Sequence, residues 1–466
     1  MTARDFHALR SHLGLPPLER TDGFPADVEA EAREMADRRP EAPVDLTSMP
    51  FVTIDPPGSM DLDQAVHLER SGEGFRVHYA IADLGSVIEL GGAIDREARE
   101  RGQTIYLPDG RVPLHPTVLS EGALSLLPDQ VRRAAVWTVE VGADGAIGHA
   151  TVERALVRSV ARLDYAGVQA DADAGRLHAS IEALPAVGRI RRQARLAAGA
   201  IDLAMPSQQV VSAGDDWTIR IEPRTEADGW NAEVSLLTGM AAAEMMLDAG
   251  VGLVRFLPSP EADEIERFMR LAHRLGVDVA DGTTPGQVLA GLDMSRPSSL
   301  ALTAGATRLL RGAGYAAFDG EAPEISEHAG IGGPYAHVTA PLRRLADRFG
   351  TEVCLALSAG GPPSSDLRGA LTDVAGAMRD SDRRSADADR GAIDQVELWI
   401  AGQHREAMFE AVVLREADEN RSAEIMVVDP VVVSGCTGAG LEAGATVQVR
   451  VGEIDVDQRR VTYVTV

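Results

Sequence analysis

Lysine is missing from this chain. All 45 basic residues are arginine, set against 71 acidic ones for a net charge of −26. So acidic a balance argues at first against a nucleic-acid partner, because phosphate binding usually leaves a basic footprint. Two considerations weaken that objection. A site that handles phosphate through divalent cations needs a cluster of carboxylates, and arginine grips phosphate with a planar, bidentate fork. Composition alone leaves the partner class open.

Cysteine is nearly absent as well. Cys354 and Cys436 match neither a zinc spacing nor a disulfide framework, which makes a reducing cytoplasm the natural compartment. Long apolar runs are lacking: the stretch 236–254 is broken by Glu244 and Asp248 and is too short and polar to span a bilayer. The opening MTARDFHALRSHLGL has no apolar core of a signal peptide. There is no P-loop, no nucleophile elbow and no HExxH helix. What remains is an ordinary globular composition, 45% apolar and 25% charged, long enough for a large core and two or more units.

Residues 1–45 read as a short helical leader, too small to be a folded nucleic-acid-binding domain of its own. From Phe51 the texture changes to short β-type runs, FVTIDP, AVHLER, FRVHYAIADL and AAVWTVEV, separated by turn residues at 71–74 and 142–145. Helical patterns follow over 181–198, 232–249, 260–275 and 365–384. An α+β domain over 46–402 fits this order. The tail 403–466 returns to strands, FEAVVLRE, SAEIMVVD, VVVSG, TVQVRVGEID and RRVTYVTV, which suggests a small all-β OB-type barrel, with a β-sandwich cap as the alternative. Gly438, Gly440 and Gly444 mimic a dinucleotide-binding loop, but strand-like sequence follows them and no helix is there to hold a pyrophosphate.

The chemistry concentrates in residues 53–65, TIDPPGSMDLDQA. Asp55 closes an apolar strand, and Pro56-Pro57-Gly58 forces an irregular turn. Asp61 and Asp63 are two apart and in extended backbone point to one side. Three carboxylates around a rigid turn repel one another unless a cation neutralises them, and oxygen-only ligation suits Mg2+ or Mn2+. A solvated acidic turn or a structural calcium loop is the competing reading.

This segment resembles the acidic motif of the ribonuclease II / ribonuclease R (RNB) family. Later stretches continue the resemblance in order: VHYAIADLGSVIELGGAIDREARERGQTIYLPDGRVPLHP, ARLDYAGV, IEPR with the downstream Glu233, and YAHVTAPLRRLAD, together spanning roughly 50–350. The resemblance implies an RNB-type catalytic domain that hydrolyses single-stranded RNA from its 3′ end to nucleoside 5′-monophosphates with Mg2+ or Mn2+. It matches Asp55, Asp61, Asp63 and Gln64 to metal positions, with Asp63 the least dispensable. Tyr106 matches a tyrosine that stacks on a 3′-terminal base. Tyr165 and Glu233 match residues near the terminal ribose, whose 2′-hydroxyl separates RNA from DNA. Arg343 matches an arginine near the scissile phosphate, with Arg344 beside it on the RNA.

Thr339-Ala340-Pro341 reads as a helix start, placing both arginines at a helix N-terminus; a surface pair of Arg343 with Asp347 is the plainer account. His337 is left without a role. Three departures stand out. Gln64 occupies the place of a fourth aspartate, Leu203 the place of a second stacking aromatic, and residues 1–45 leave no room for paired cold-shock domains. These departures keep a second reading open, an RNA-binding protein of the same fold with weak or no hydrolysis. A third is a phosphodiesterase acting on something other than long RNA.

Overall fold

The computed structural model describes residues 6–16, 23–203, 207–213, 216–222, 224–280, 282–419, 421–456 and 458–466. Short apolar, β-branched runs build a six-stranded sheet from β1 (Val44–Asp45), β2 (Phe51–Ile54), β3 (Gln64–Ser71), β4 (Gly74–Ala82), β7 (Val131–Val141) and β8 (Ile147–Leu163). A separate small hairpin is formed by β5 (Ile105–Leu107) and β6 (Gly110–Val112). The β3–β4 turn pairs Ser71 with Gly74, and Gly72 takes the left-handed φ of +59° that this two-residue connection needs.

Residues 147–163 form β8, the longest strand among the described residues. Its first part runs antiparallel to β7, and its end runs parallel to β2, with Ile54 opposite Leu163. The sheet thereby curls until its last strand meets the long one. One face of it carries Trp137, Tyr79, Val77 and Ile81, all essentially inaccessible to solvent.

Helices cover this sheet. Glu226–Ala249 starts with a capping box between Thr225 and Asp228, ends at Gly250 in the left-handed region, and drives Val234, Leu237, Ala242 and Met246 into the same core. It begins six residues before the expected 232, because the polar first turn is fixed by its cap rather than by apolar spacing. The helix expected over 365–384 runs as Ser365–Gln403, about 58 Å at 1.5 Å per residue. Past Arg384 it buries mostly small residues, Ala388, Gly391, Ala392 and Ala401, which carry little hydrophobic signal.

At the carboxy end, Met408–Arg415, Ala423–Val427, Val432–Thr437, Arg460–Thr465 and Thr446–Asp455 close, in that spatial order, into a five-stranded barrel. This is the small OB-like unit expected, and 438–445 is a connection between two of its strands. Helices His7–His12 and Ala26–Ala36 lie within 1–45, of which 1–5 and 17–22 are outside the described residues. The second buries Val28, Ala32 and Met35 beside Phe51 and Leu62. Among the described residues no helix is long and apolar enough to cross a membrane.

One close approach ties this scaffold to the 335–344 segment. Ala336 N–H donates to the Gly239 carbonyl at 3.0 Å, and a Cβ on Gly239 would overlap both the Tyr335 ring and the Ala336 carbonyl. Gly239→Ala should therefore destabilise the protein by about 1–3 kcal/mol in urea unfolding; a change near zero would mean that the segment yields freely.

Candidate active site

The acidic loop is held at both ends. Asp55 N–H joins the parallel ladder through the Leu163 carbonyl at 3.1 Å. The turn after it closes with Ser59 N–H on Pro56 O, with Gly58 at φ +90°, a conformation that favours glycine. Ser125, fully buried, accepts from Leu62 N–H at 3.0 Å and donates to Met60 O at 2.6 Å. Asp61 and Asp63 flank that clamp. Asp61 keeps partial exposure and takes Arg111 Nη1 at 3.2 Å, whereas Asp63 is only 5% exposed.

Asp63 reaches across the molecule to the arginine-bearing turn. Its Oδ1 accepts from Leu342 N–H at 2.7 Å, and its Oδ2 lies 3.8 Å from Arg343 Nε. The turn differs from the expected helix start: the helix is Leu345–Ser358, and Arg344 is its extended N-cap. The reason is Asp347, wholly buried, whose carboxylate takes Ala340 N–H and both Nε and Nη2 of Arg344. Arg344, not Arg343, is thus the partner of Asp347. Arg343 stays 43% exposed over Asp63, free to meet a ligand.

Gln64 is bound on both sides. Its Nε2 donates to Thr339 O at 2.7 Å and its Oε1 accepts the Tyr79 hydroxyl at 2.6 Å; that hydroxyl also contacts Ser235 Oγ at 2.8 Å. His337 is a core histidine, with Nδ1 2.6 Å from the Tyr315 hydroxyl, and burial pushes its pKa well down.

The expected RNA residues divide. Tyr106 on β5 is 44% exposed beside Asp61, and burial of its hydroxyl together with the Asp61 charge pushes its pKa up. Tyr165 begins the helix Tyr165–Asp173, and burial with the nearby Asp55 charge pushes its hydroxyl up to about 12. Asn231 Nδ2 donates to that hydroxyl at 3.4 Å. Glu233 is buried in a two-pronged pair with Arg195, Nε–Oε2 2.9 Å and Nη2–Oε1 2.6 Å. Leu203 packs beside Ile201, Phe268 and Leu271. Of the IEPR landmark, Pro223 and the side chains of Ile221 and Glu222 lie outside the described residues.

Sequence reasoning missed Arg111, Arg162, Asn231 and Ser235. Arg162 sits near enough to lower the Asp55 pKa, as Arg343 does. Only the Asp109-Gly110 turn before Arg111 hinted at a hairpin; the others become visible through contacts between distant parts of the chain.

An acidic loop ringed by Arg111, Arg162 and Arg343 beside an open tyrosine has the make-up of a phosphodiester-handling site. Comparison with known proteins narrows this class. The RNB domain pattern matches residues 44–350, and the RNase II-type exonuclease C-terminal S1 domain matches 407–466. The chain belongs to the RNB family. It is 30% identical over 362 residues to ribonuclease R of Escherichia coli (strain K12), covering 73% of this chain and 43% of that protein. To the exosome complex exonuclease RRP44 homolog A of Arabidopsis thaliana it is 29% identical over 375 residues, 76% and 40% of the two. The chain thus spans less than half the length of these relatives. In structure it resembles Mycoplasma genitalium RNase R in complex with ribose methylated single-stranded RNA, with TM-score 0.82 at 19% identity, covering 98% of this chain and 78% of that one. It also resembles yeast Ssd1, described as a pseudonuclease, with TM-score 0.68 at 17% identity and coverage of 92% and 51%.

Asp55 reports on the site's electrostatics. Burial first, and the Asp61 charge second, raise its pKa from 3.8 to about 6, and one of its oxygens is buried without a hydrogen-bond partner. A raised carboxyl pKa favours the protonated fold, so this contribution is full below pH 3.8 and is lost as pH rises through 6. In chelator, Asp55→Asn should match wild-type stability near pH 4 and exceed it by roughly 3 kcal/mol above pH 7. Parallel melting curves across pH would contradict this.

Proposed function

We propose that the chain is an exoribonuclease that removes nucleotides from the 3′ end of single-stranded RNA and releases nucleoside 5′-monophosphates. The observation that carries the reading is the joining of the acidic loop to the arginine turn through Asp63, Leu342 N–H and Arg343, beside the exposed Tyr106.

Among the described residues no three His, Cys, Asp or Glu side chains form a ready cation cage. The donor set nevertheless fits a divalent ion: oxygen-only, with a buried unpartnered Asp55 oxygen and mutually repelling Asp55 and Asp61. Asp55, Asp61 and Asp63 would hold Mg2+ or Mn2+, which when bound polarises the phosphoryl group and makes water a stronger nucleophile.

The chain's own residues do the rest. Tyr106 offers a sequence-tolerant stacking face to the terminal base. Tyr165, oriented by Asn231, is placed for a ribose hydroxyl, while Glu233 holds Arg195 and stiffens the wall behind. Arg343 and, around the loop, Arg111 and Arg162 offset charge that develops on the phosphate oxygens. One water adds across the terminal linkage: its oxygen bonds to phosphorus, the bond to the preceding 3′ oxygen breaks, and that oxygen takes a proton.

With a 5′-labelled single-stranded RNA and Mg2+ or Mn2+, the wild-type chain should shorten the strand stepwise. Asp63→Asn should slow it at least about a hundredfold; unchanged turnover would sink the assignment.

Gln64 favours keeping the second reading, an RNA-binding protein with weak hydrolysis, because its amide acts as a strut from Thr339 to Tyr79 and supplies no charge. Gln64→Asp would point a carboxylate at the Thr339 carbonyl, so we expect turnover to fall about tenfold or more. A large gain would instead mean that the natural chain is impaired at its metal site.

A further inference from the structure

The β5–β6 hairpin carries Tyr106 and Arg111 and is held on one side by burial of Ile105, Leu107 and Val112. Among the described residues it pairs with no other strand, and two short strands alone are marginal in water. At its base, Thr104 N–H donates to the Arg343 carbonyl and Thr104 Oγ1 accepts from Leu114 N–H, at 2.9 and 3.0 Å. At its tip the holding group comes from the leader. Arg10, 1% exposed, grips Asp109 with Nε–Oδ2 at 3.0 Å and Nη2–Oδ1 at 2.7 Å, and its Nη1 donates to Pro16 O at 3.3 Å.

That arginine is itself rigidly seated. The preceding Phe6 is fully buried, its ring centroid 5.3 Å from Trp217 and 5.7 Å from Trp399. Leu9 packs on Gly391 of the long helix, where a Cβ would collide with it. Ile105, Leu107 and Val112 of the hairpin share one apolar cluster with Phe6 and Leu9. The leader is therefore a wedge between the long helix and the hairpin, with one directional, charged contact to the tip.

We propose that the helix His7–His12 is a positioning element for RNA, and that the Arg10–Asp109 pair sets where Tyr106 stands over the acidic loop. The proposal rests on the stacking role given to Tyr106 above. Neither Arg10 nor Asp109 touches the reacting atoms. They act through the hairpin, in which Asp109 is three residues from Tyr106, while Arg111 is held separately by Asp61 and Glu121. Removing one partner of a buried, two-pronged pair leaves the other charge stranded and releases the geometry it imposed.

The test uses the full chain and an RNA with 2-aminopurine at its 3′ terminus, bound in chelator so that no hydrolysis is needed. Stacking on Tyr106 should quench the probe, and Tyr106→Ala should abolish the quenching. Arg10→Met and Asp109→Asn should each lose most of it. In Mg2+ each should raise KM about tenfold with kcat changed less than about twofold, and neither should add to the effect of Tyr106→Ala. Wild-type quenching in either folded variant, or effects that multiply with Tyr106→Ala, would overturn the proposal. Should Arg10→Met fail to fold, Asp109→Asn, which keeps shape and one acceptor, decides alone. A wild-type chain that quenches nothing removes the stacking reading and this proposal with it; quenching without hydrolysis removes only the nuclease reading.

Discussion

The buried carboxylate of Asp63 is the constraint on which the site depends. A carboxylate 5% exposed is costly unless it is paired and hydrogen-bonded, and burial pushes its pKa well above the ordinary range. Leu342 N–H and Arg343 provide the compensation from a turn 279 residues away. The other local features serve that contact. Asp347 shapes the turn by binding Ala340 and Arg344, Ser125 fixes the backbone before Asp63, and Gln64 ties the residue after it to Thr339. A shift in either segment breaks several of these bonds together.

The acidity of the chain is compatible with a phosphate-bearing ligand because the charge is distributed unevenly. Much of the arginine is committed to specific carboxylates: Arg195 to Glu233, Arg344 to Asp347, Arg10 to Asp109, Arg348 to Asp95. Around the acidic loop, by contrast, Arg343 keeps a large exposed surface and only a distant carboxylate partner. Arg111, Arg162 and Arg343 thus set positive charge beside the carboxylates of the loop, a local arrangement that the net charge does not reveal.

Much of this was legible in the sequence, and the exceptions have physical causes. The strands β2, β3, β4 and β7 and the five of the barrel are short runs rich in β-branched and apolar residues, bounded by turn residues. The strand β8 escaped because its buried residues Val152, Ala155, Val157 and Ser159 break alternation with a three-residue step, and because it changes partner midway. The helix start was misplaced to Thr339 since a capping pattern cannot show that a buried aspartate further on captures the same N–H groups. Ordered motifs brought Asp55, Asp61, Asp63, Tyr106, Tyr165 and Arg343 into view. Arg10, Arg111 and Arg162 stayed hidden, for their partners lie tens of residues away. Gln64 was legible as a departure, but its strut role needed the Thr339 and Tyr79 contacts.

The distance in sequence between Asp63 and Leu342 also fixes when the site can exist. A growing chain exposes its acidic loop early, yet the turn that completes the pair is made 279 residues later, roughly 15 to 60 s of synthesis at ordinary elongation rates. Until then the carboxylate lacks the partner that makes its burial tolerable. The chain is thus made with its acidic loop and arginine turn still apart, and the completed pair of segments exists only once Leu342 and Arg343 have been added.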